Sequence, residues 1–293
     1  MSAGTIAVIG LGAMGGPLVA HLRERGETVL VSDLDESLVA AAVALGAEEV
    51  QLADVRSRAD WALLSLPGPV EAETVVEQLL ASSDEKSRLA GIVDLTSSDP
   101  SVSRDLAGRA LAAGTRYVDA GVLGNPPLAR TGSLILLIGA QAEEVAELDA
   151  LLAAISRLQF PLGERGAGHA AKLAANELFT AQVAAMAEAL TVLDATGADT
   201  AVFLEALSAT GGRGVGLADI GSTMVGEPPA TGFALRLAAK DVRLLHSLAG
   251  GLERELPVLA GLEQLFREAS VDRPGDDYTR VYQHLAGSAA VGS

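Results

Sequence analysis

Residues 5–22 read TIAVIGLGAMGGPLVAHL: a β-branched run, glycines at positions 10, 12 and 15, then an apolar-periodic helical stretch. No other part of the chain restricts the fold so strongly. A GxGxxG spacing alone is a common turn. Between a strand and a helix, at the start of a βαβ unit, it acquires a specific physical sense. Gly10 permits the tight turn, Gly12 lets a pyrophosphate approach the backbone, and Gly15 lets the helix pack closely on the strand. Leu11, Ala13 and Met14 place their amides in the same turn, where the positive end of the helix favours phosphate. The stretch predicts a dinucleotide-binding α/β domain.

The rhythm downstream agrees. Strand patterns recur at 5–10, 28–33, 59–66, 90–95, 115–120 and 133–139, with helical patterns at 13–25, 35–45, 69–80 and 99–113 between most of them. Such alternation predicts a mostly parallel sheet covered by helices on both faces. The later strands follow one another closely, which predicts an antiparallel far edge. From about residue 166 strand signals cease, and helical patterns follow at 166–196, 199–208, 213–224, 236–250, 255–268 and 276–285. The predicted architecture is a Rossmann-type domain over 1–163 and an all-α domain over 164–293. The first helix of the second domain is a spine of about 45 Å, starting at the domain junction.

Asp33 ends the second strand, eighteen residues after Gly15. A carboxylate there accepts from ribose hydroxyls and repels a 2′-phosphate. No arginine follows in DLDES, so NAD is expected over NADP. The competing reading makes Asp33 a helix cap or turn residue. LSLPGP (64–69) and DLTSSDP (94–100) end two further strands. They put Leu66, Pro67 and Ser97 where a doubly wound sheet meets its ligand. Ser97 and Ser98 serve equally well as N-caps of the helix that follows.

Composition narrows the function. The net charge of −17 makes nucleic acid and anionic membrane surfaces poor partners. The absence of cysteine removes disulfides and thiolate zinc sites, and no metal is expected. No signal-peptide pattern opens the chain, and no segment reads as the roughly 20 apolar residues of a membrane helix. A cytoplasmic protein is the expectation. Eighteen arginines stand against three lysines, Lys86, Lys172 and Lys240. Arginine keeps its proton near neutral pH, whereas a buried lysine can release one. Lys172 sits in the alanine-rich GAGHAAKLAANELF, with Asn176 one turn on along the same face. A lysine and an amide so placed suit proton transfer to a carbonyl oxygen as hydride arrives. The alternative is a lysine that snorkels to the surface. His169 reads as a packing or capping residue.

These segments together resemble the β-hydroxyacid dehydrogenase family, which includes 3-hydroxyisobutyrate dehydrogenases and tartronate semialdehyde reductases. GLGAMGGPLVAHL (10–22) resembles its N-terminal signature. DLTSSDPSVSRDLA (94–107) resembles its D-x-S-T-x-x-P segment, with Ser97 on the nicotinamide side. GAGHAAKLAANE (166–177) resembles its G-x-G-x-x-x-K-x-x-N-N segment, and FALRLAAKDVRLL (233–245) its late K-D-x-x-L segment. The resemblance implies that Lys172 is the catalytic lysine, that Asn176 binds substrate, and that Phe233 and Lys240 close over the nicotinamide. The family's DAPVSGG segment holds a substrate carboxylate. In this chain it reads DAGVLGNPP, with Leu123 at the serine, Gly124 kept and Asn125 at the second glycine. Ala175 replaces the first Asn of the lysine segment. Both departures point away from an ordinary small 3-hydroxy acid. The altered loop is more similar to that of imine reductases, a related family.

The expected function is NAD(P)-dependent hydride transfer between a small alcohol and its carbonyl compound, in a cleft between the domains. Imine reduction is the runner-up, and a cofactor-binding protein without turnover is the third reading. The alanine-rich spine predicts a homodimer or higher homo-oligomer.

Overall fold

The computed structural model describes residues 4–81, 87–210, 213–226 and 232–288. Lys86 and residues 211–212 and 227–231 of the two glycine-bearing runs lie outside the described residues. The chain divides into two compact units, residues 1–172 and 173–293.

In the first unit the elements run in this order: β1 (Thr5–Ile9), α1 (Gly15–Glu24), β2 (Thr28–Ser32), α2 (Glu36–Ala44), β3 (Glu48–Glu49), α3 (Leu52–Arg58), β4 (Trp61–Leu64), α4 (Pro69–Ala81), β5 (Gly91–Asp94) and α5 (Pro100–Ala112). Then follow β6 (Arg116–Leu123), α6 (Pro126–Arg130), β7 (Leu134–Ile138), α7 (Ala142–Glu147), α8 (Asp149–Ile155) and β8 (Ser156–Pro161). The strands form one sheet in the order β3-β2-β1-β4-β5-β6-β7-β8. It is parallel from β3 to β6. β6 and β7 pair antiparallel, and β8 returns parallel to β7. The antiparallel far edge expected from the spacing is therefore a single reversal, at β6–β7.

Period-two alternation explains the two cores. Ile6 and Val8 of β1 face a cluster completed by Leu18 and Leu22 of α1 and Leu152 of α8. Ala7 and Ile9 face the opposite cluster, with Val76 and Leu79 of α4 and Leu106 of α5. A sheet covered on both faces needs apolar residues at every strand position, hence the unbroken TIAVI and WALL runs. Two strands escaped the sequence reading. β3 has two glutamates, and β8 exposes Leu158 and Phe160, each 45%. Both are edge strands with a neighbour on one side only, so neither carries a clear alternation. The short helices α3, α6, α7 and α8 escaped as well.

Among its described residues the second unit is helical, apart from an isolated bridge between Ala234 and Asp277. It takes most of α9 (Ala167–Thr196), then α10 (Thr200–Ala209), α11 (Arg213–Val225), α12 (Leu235–Gly251), α13 (Pro257–Asp272), a 3-10 turn (Tyr278–Arg280) and α14 (Val281–Ser288). Its core joins Leu173, Val183 and Leu190 of α9 to Val242 of α12, Phe266 of α13 and Val281. By length and composition α9 passes as a membrane span, with a mean hydropathy of 1.3 in its most apolar stretch. That corrects the expectation that no segment comes near one. One third of that stretch is buried within the chain.

The rhythm of the sequence changes at 163/164, while the packing divides at 172/173. The first turns of α9 lie backbone to backbone on the sheet, where Gly168 meets Asp119 and Leu137.

Candidate functional site

The motif residues of the first unit gather at the carboxyl ends of the parallel strands. Gly10 follows β1, Asp33 follows β2, Leu66 and Pro67 follow β4, and Ser97 follows β5. Strand order reverses between β1 and β4, the switch point at which open α/β sheets bind ligands.

The three glycines separate by role. Gly10 has φ +90°, and a Cβ on it would collide with the Ser65 carbonyl oxygen. A Cβ on Gly15 would strike the Gly10 carbonyl oxygen. Both are required by the protein's own packing. A Cβ on Gly12 would meet nothing within 4 Å. The protein has no packing reason for glycine there, and Gly12 and Ala13 are exposed. An open cradle of this kind, at the start of α1, fits a dinucleotide pyrophosphate. Met14 occupies the N-cap of α1 without a side-chain hydrogen bond and leans on the core.

Asp33 is not a helix cap, since Asp35 caps α2 by accepting from the Ser37 amide. One Asp33 oxygen accepts from the Leu11 amide at 2.5 Å and the other from the Asp35 amide at 2.9 Å. The carboxylate thus stands beside the glycine loop and braces it. The Leu66 amide donates to Thr96 Oγ1 at 3.2 Å, which ties the β4 end to the β5 end. Pro67 is exposed and Ser97 half-buried. Neither serine caps α5; Asp99 does, accepting from the Ser101 amide. Ser98 is fully buried, and its hydroxyl has no hydrogen-bond partner among the described residues.

Lys172 is half-buried. It sits over Gly121 of β6, so close that a Cβ on Gly121 would come within 2.5 Å of Lys172 Cβ. β6 ends two residues later at Leu123, which is half-buried, and Gly124 and Asn125 follow exposed. The altered loop therefore starts where the lysine is seated. Asn125 plays a structural part, because its Oδ1 accepts from the Leu128 amide at 3.1 Å and caps α6.

Beneath the lysine lies a buried polar network that the sequence reading missed. Asp119 of β6 accepts from the amides of Gly166 (2.8 Å) and His169 (3.0 Å) at the start of α9. The His169 ring reaches Ser103 Oγ at 2.8 Å and the Asp94 carbonyl oxygen at 3.2 Å. Nε2 faces a carbonyl and so carries a hydrogen. This agrees with a packing role. Asp94 also accepts from the Thr96 amide and from Tyr117 Oη at 2.6 Å. Burial, helped by Asp94, pushes the Tyr117 hydroxyl well above its usual range, so it stays a donor. The one legible signal was spacing: Asp119 and Gly121 share a face of β6.

In the second unit Asn176 and Lys240 meet at Asp241. The Asn176 amide donates to Asp241 Oδ2 at 2.5 Å, and Lys240 Nζ lies 3.1 Å from Oδ1. The lysine and the buried Asp241 carboxylate form an ion pair. The Phe233 ring meets Tyr278 edge-on at 5.6 Å and its amide donates to Asp277.

A groove of about 640 Å3 opens elsewhere, near the amino end of β6, between Arg104, Leu111, Thr115, Gln141 and Glu144. None of the candidate site residues borders it, although Arg104 and Ala107 of the 94–107 segment do, and its size does not outweigh the chemistry gathered at the strand carboxyl ends. Among the described residues no cluster of His, Asp or Glu is arranged to hold a metal.

Residues 5–163 match the NAD binding domain of 6-phosphogluconate dehydrogenase. Residues 166–285 match the NAD-binding domain of NADP-dependent 3-hydroxyisobutyrate dehydrogenase. The 2-(hydroxymethyl)glutarate dehydrogenase of Eubacterium barkeri is 33% identical over 265 residues, 89% of this chain and 87% of that protein. The 3-hydroxyisobutyrate dehydrogenase of Mycobacterium tuberculosis, solved with L-serine, superposes with a TM-score of 0.86 at 23% identity, covering 97% of this chain and 99% of that one. An imine reductase variant from Myxococcus stipitatus, in complex with NAD+, superposes at 0.63 with 20% identity, covering 97% of this chain and 100% of that one. At these identities the two superpositions bear on the fold alone.

Proposed function

The chain belongs to the β-hydroxyacid dehydrogenase family, and from that premise we propose that it interconverts a small hydroxy compound and its carbonyl form, with Lys172 as general acid and base. The observation that carries the reading is the seat of Lys172 on Gly121, two residues before the loop that replaces the family's carboxylate-binding segment.

The chemistry that a nicotinamide dinucleotide would supply here is hydride transfer. Gly10, Leu11, Gly12, Ala13 and Met14 would hold its pyrophosphate and Asp33 its ribose, and Leu66, Pro67 and Ser97 would border the rest. In oxidation Lys172 takes the hydroxyl proton as the C–O bond becomes a carbonyl; in reduction it returns that proton to the oxygen. Positioned proton transfer of this kind is worth about 10²–10⁴-fold. The Asn176 amide donates to Asp241, and the family resemblance is what assigns Asn176 to the substrate.

Asp33, with no cation in residues 34–37, supports NAD over NADP. Leu123 offers an apolar surface where a carboxylate needs donors, and Asn125 Oδ1 is engaged in capping α6. The substrate favoured by this loop carries a neutral or larger group beside the reacting carbon. The same loop supports a second reading, reduction of a C=N bond. Two copies pair through the outer side of α9, where Leu178 and Val192 are 64% and 63% exposed.

The test is a spectrophotometric screen with both cofactors in both redox states, over hydroxy acids, semialdehydes, neutral alcohols and aldehydes, and cyclic imines. Lys172→Ala is expected to lose at least 10²-fold in kcat and keep its NADH affinity. Lys172→Arg is expected to fail too, because arginine holds its proton too tightly. A Lys172→Ala enzyme within threefold of wild type would return the lysine to a packing role.

A further inference from the structure

Three contacts fix the first turns of α9 along three different coordinates. Asp119, wholly buried, sets the position along the axis by accepting from the Gly166 and His169 amides. Gly168 sets the depth: a Cβ on it would collide with the Leu137 carbonyl oxygen and lie 2.7 Å from the Asp119 carbonyl oxygen. The His169 ring, held by Ser103 and by the Asp94 carbonyl, sets the rotation. Four residues beyond Gly168, on the same helix face, Lys172 comes down on Gly121, where a Cβ would also lie 2.6 Å from the Gly168 carbonyl oxygen. Asp119 and Gly121, two apart on a strand, project from one face of β6.

Stability alone does not call for this arrangement. α2, α5 and α10 are capped by Asp35, Asp99 and Asp199, each immediately before its helix. α9 takes its cap from a buried carboxylate on a strand, at a cost in desolvation that a local cap avoids. What the strand adds is registry between the sheet and the residue four positions past Gly168.

We propose that Asp119 and Gly121 are positioning residues for Lys172: β6 holds the lysine's Cβ at a set place by the carboxyl end of the sheet, and so sets the reach of its ammonium to the reacting oxygen. The inference rests on the reading of Lys172 as the proton donor. Ordinary contact begins near 3.4 Å, so the 2.5 Å approach of a Cβ at Gly121 forces Lys172 to move by about 1 Å. A misplacement of that size costs on the order of 10²-fold in rate.

The experiment is a double-mutant cycle on the full chain: wild type, Gly121→Ala, Lys172→Ala and the double variant. Turnover is measured with NAD+ and the alcohol that the screen oxidises fastest; binding is followed by NADH fluorescence. Gly121→Ala is expected to lower kcat about 10²-fold, leave KM and NADH affinity within threefold, and add less than threefold on the Lys172→Ala background. Equal losses on both backgrounds would overturn the inference while leaving the lysine reading intact. A Lys172→Ala enzyme that turns over normally would remove the reading and the inference together. Asp119→Asn covers the case in which Gly121→Ala does not fold. It keeps the volume and loses one acceptor, so kcat is expected to fall about tenfold, again absorbed by Lys172→Ala. A lower melting temperature with unchanged kcat would make Asp119 a structural cap only.

Discussion

The glycine loop allows binding and folding to be separated by two one-methyl substitutions. Gly12→Ala places its methyl in open space, at a residue outside the positive-φ region. The apo protein is therefore expected to keep its stability or gain up to about 1 kcal/mol from the stiffer unfolded chain. Gly15→Ala drives its methyl into the Gly10 carbonyl oxygen, so α1 must lift from the turn, at about 3 kcal/mol. The Gly12 methyl acts on the cofactor instead, by holding the pyrophosphate off the loop amides. Loss of one hydrogen bond to a charged group is worth about 1.5–3 kcal/mol, and a weakening of about 30-fold lies within that span. At a concentration of NADH a hundred times the wild-type Kd, binding stabilises wild type by about 2.7 kcal/mol and Gly12→Ala by about 0.9 kcal/mol. With about 2–4 °C per kcal/mol, the NADH-induced rise in Tm shrinks from about 5–11 °C to about 2–4 °C. Thermal unfolding with and without NADH reads both effects. The same NADH shift in Gly12→Ala as in wild type would refute the pyrophosphate cradle. An apo Tm depressed as far as that of Gly15→Ala would refute the open space.

Asp33→Ala is expected to relax the preference for NAD(H) over NADP(H) at least tenfold in the kcat/KM ratio; a wild type that prefers NADPH tenfold would contradict the role given to Asp33. Leu123→Ser with Asn125→Gly restores the family's donors, and is expected to raise kcat/KM on 3-hydroxyisobutyrate relative to neutral alcohols by about one to two decades. Glycine at the α6 N-cap costs only a few tenths of a kcal/mol, so the comparison is not spoiled by unfolding; no gain would mean that backbone amides alone hold the carboxylate. Tyr282 donates to Asp194, which pushes its hydroxyl up to about 12. A group raised on folding stabilises below its unfolded value, near 10, and loses that contribution as pH rises through its folded value. Urea midpoints are therefore expected to fall between pH 10 and about 12, and Tyr282→Phe to flatten that slope.

Strand–helix alternation made the sheet legible, because a strand buried on both faces must be apolar throughout, and a helix must follow it to cover a face. The glycine loop was legible for the same local reason. Asp33 was legible as a residue at a strand end, but not as the partner of the Leu11 amide. The serines of DLTSSDP looked like caps, and the backbone chose Asp99, one position nearer the helix. β8 was hidden because an edge strand exposes leucine and phenylalanine without a pattern. The seat of Lys172 was hidden most deeply. It depends on Asp119, Gly121 and Gly168 meeting across some fifty positions of chain. No local period records such a contact. For the same reason the change of rhythm at 163/164 precedes the division of packing at 172/173.

The bond between Asp33 and the Leu11 amide bears on how such a protein could change its cofactor. The carboxylate that would turn away a 2′-phosphate is also the acceptor that holds the loop beneath the other end of the same ligand. Replacing it with a small or basic side chain admits the phosphate and, in the same step, strands a main-chain donor. A lineage crossing from one nucleotide to the other must therefore supply a new acceptor for Leu11 before, or together with, the loss of Asp33. On the proposed role of Asp33, the single change is expected to weaken the binding of both nucleotides, because the Leu11 amide loses its acceptor.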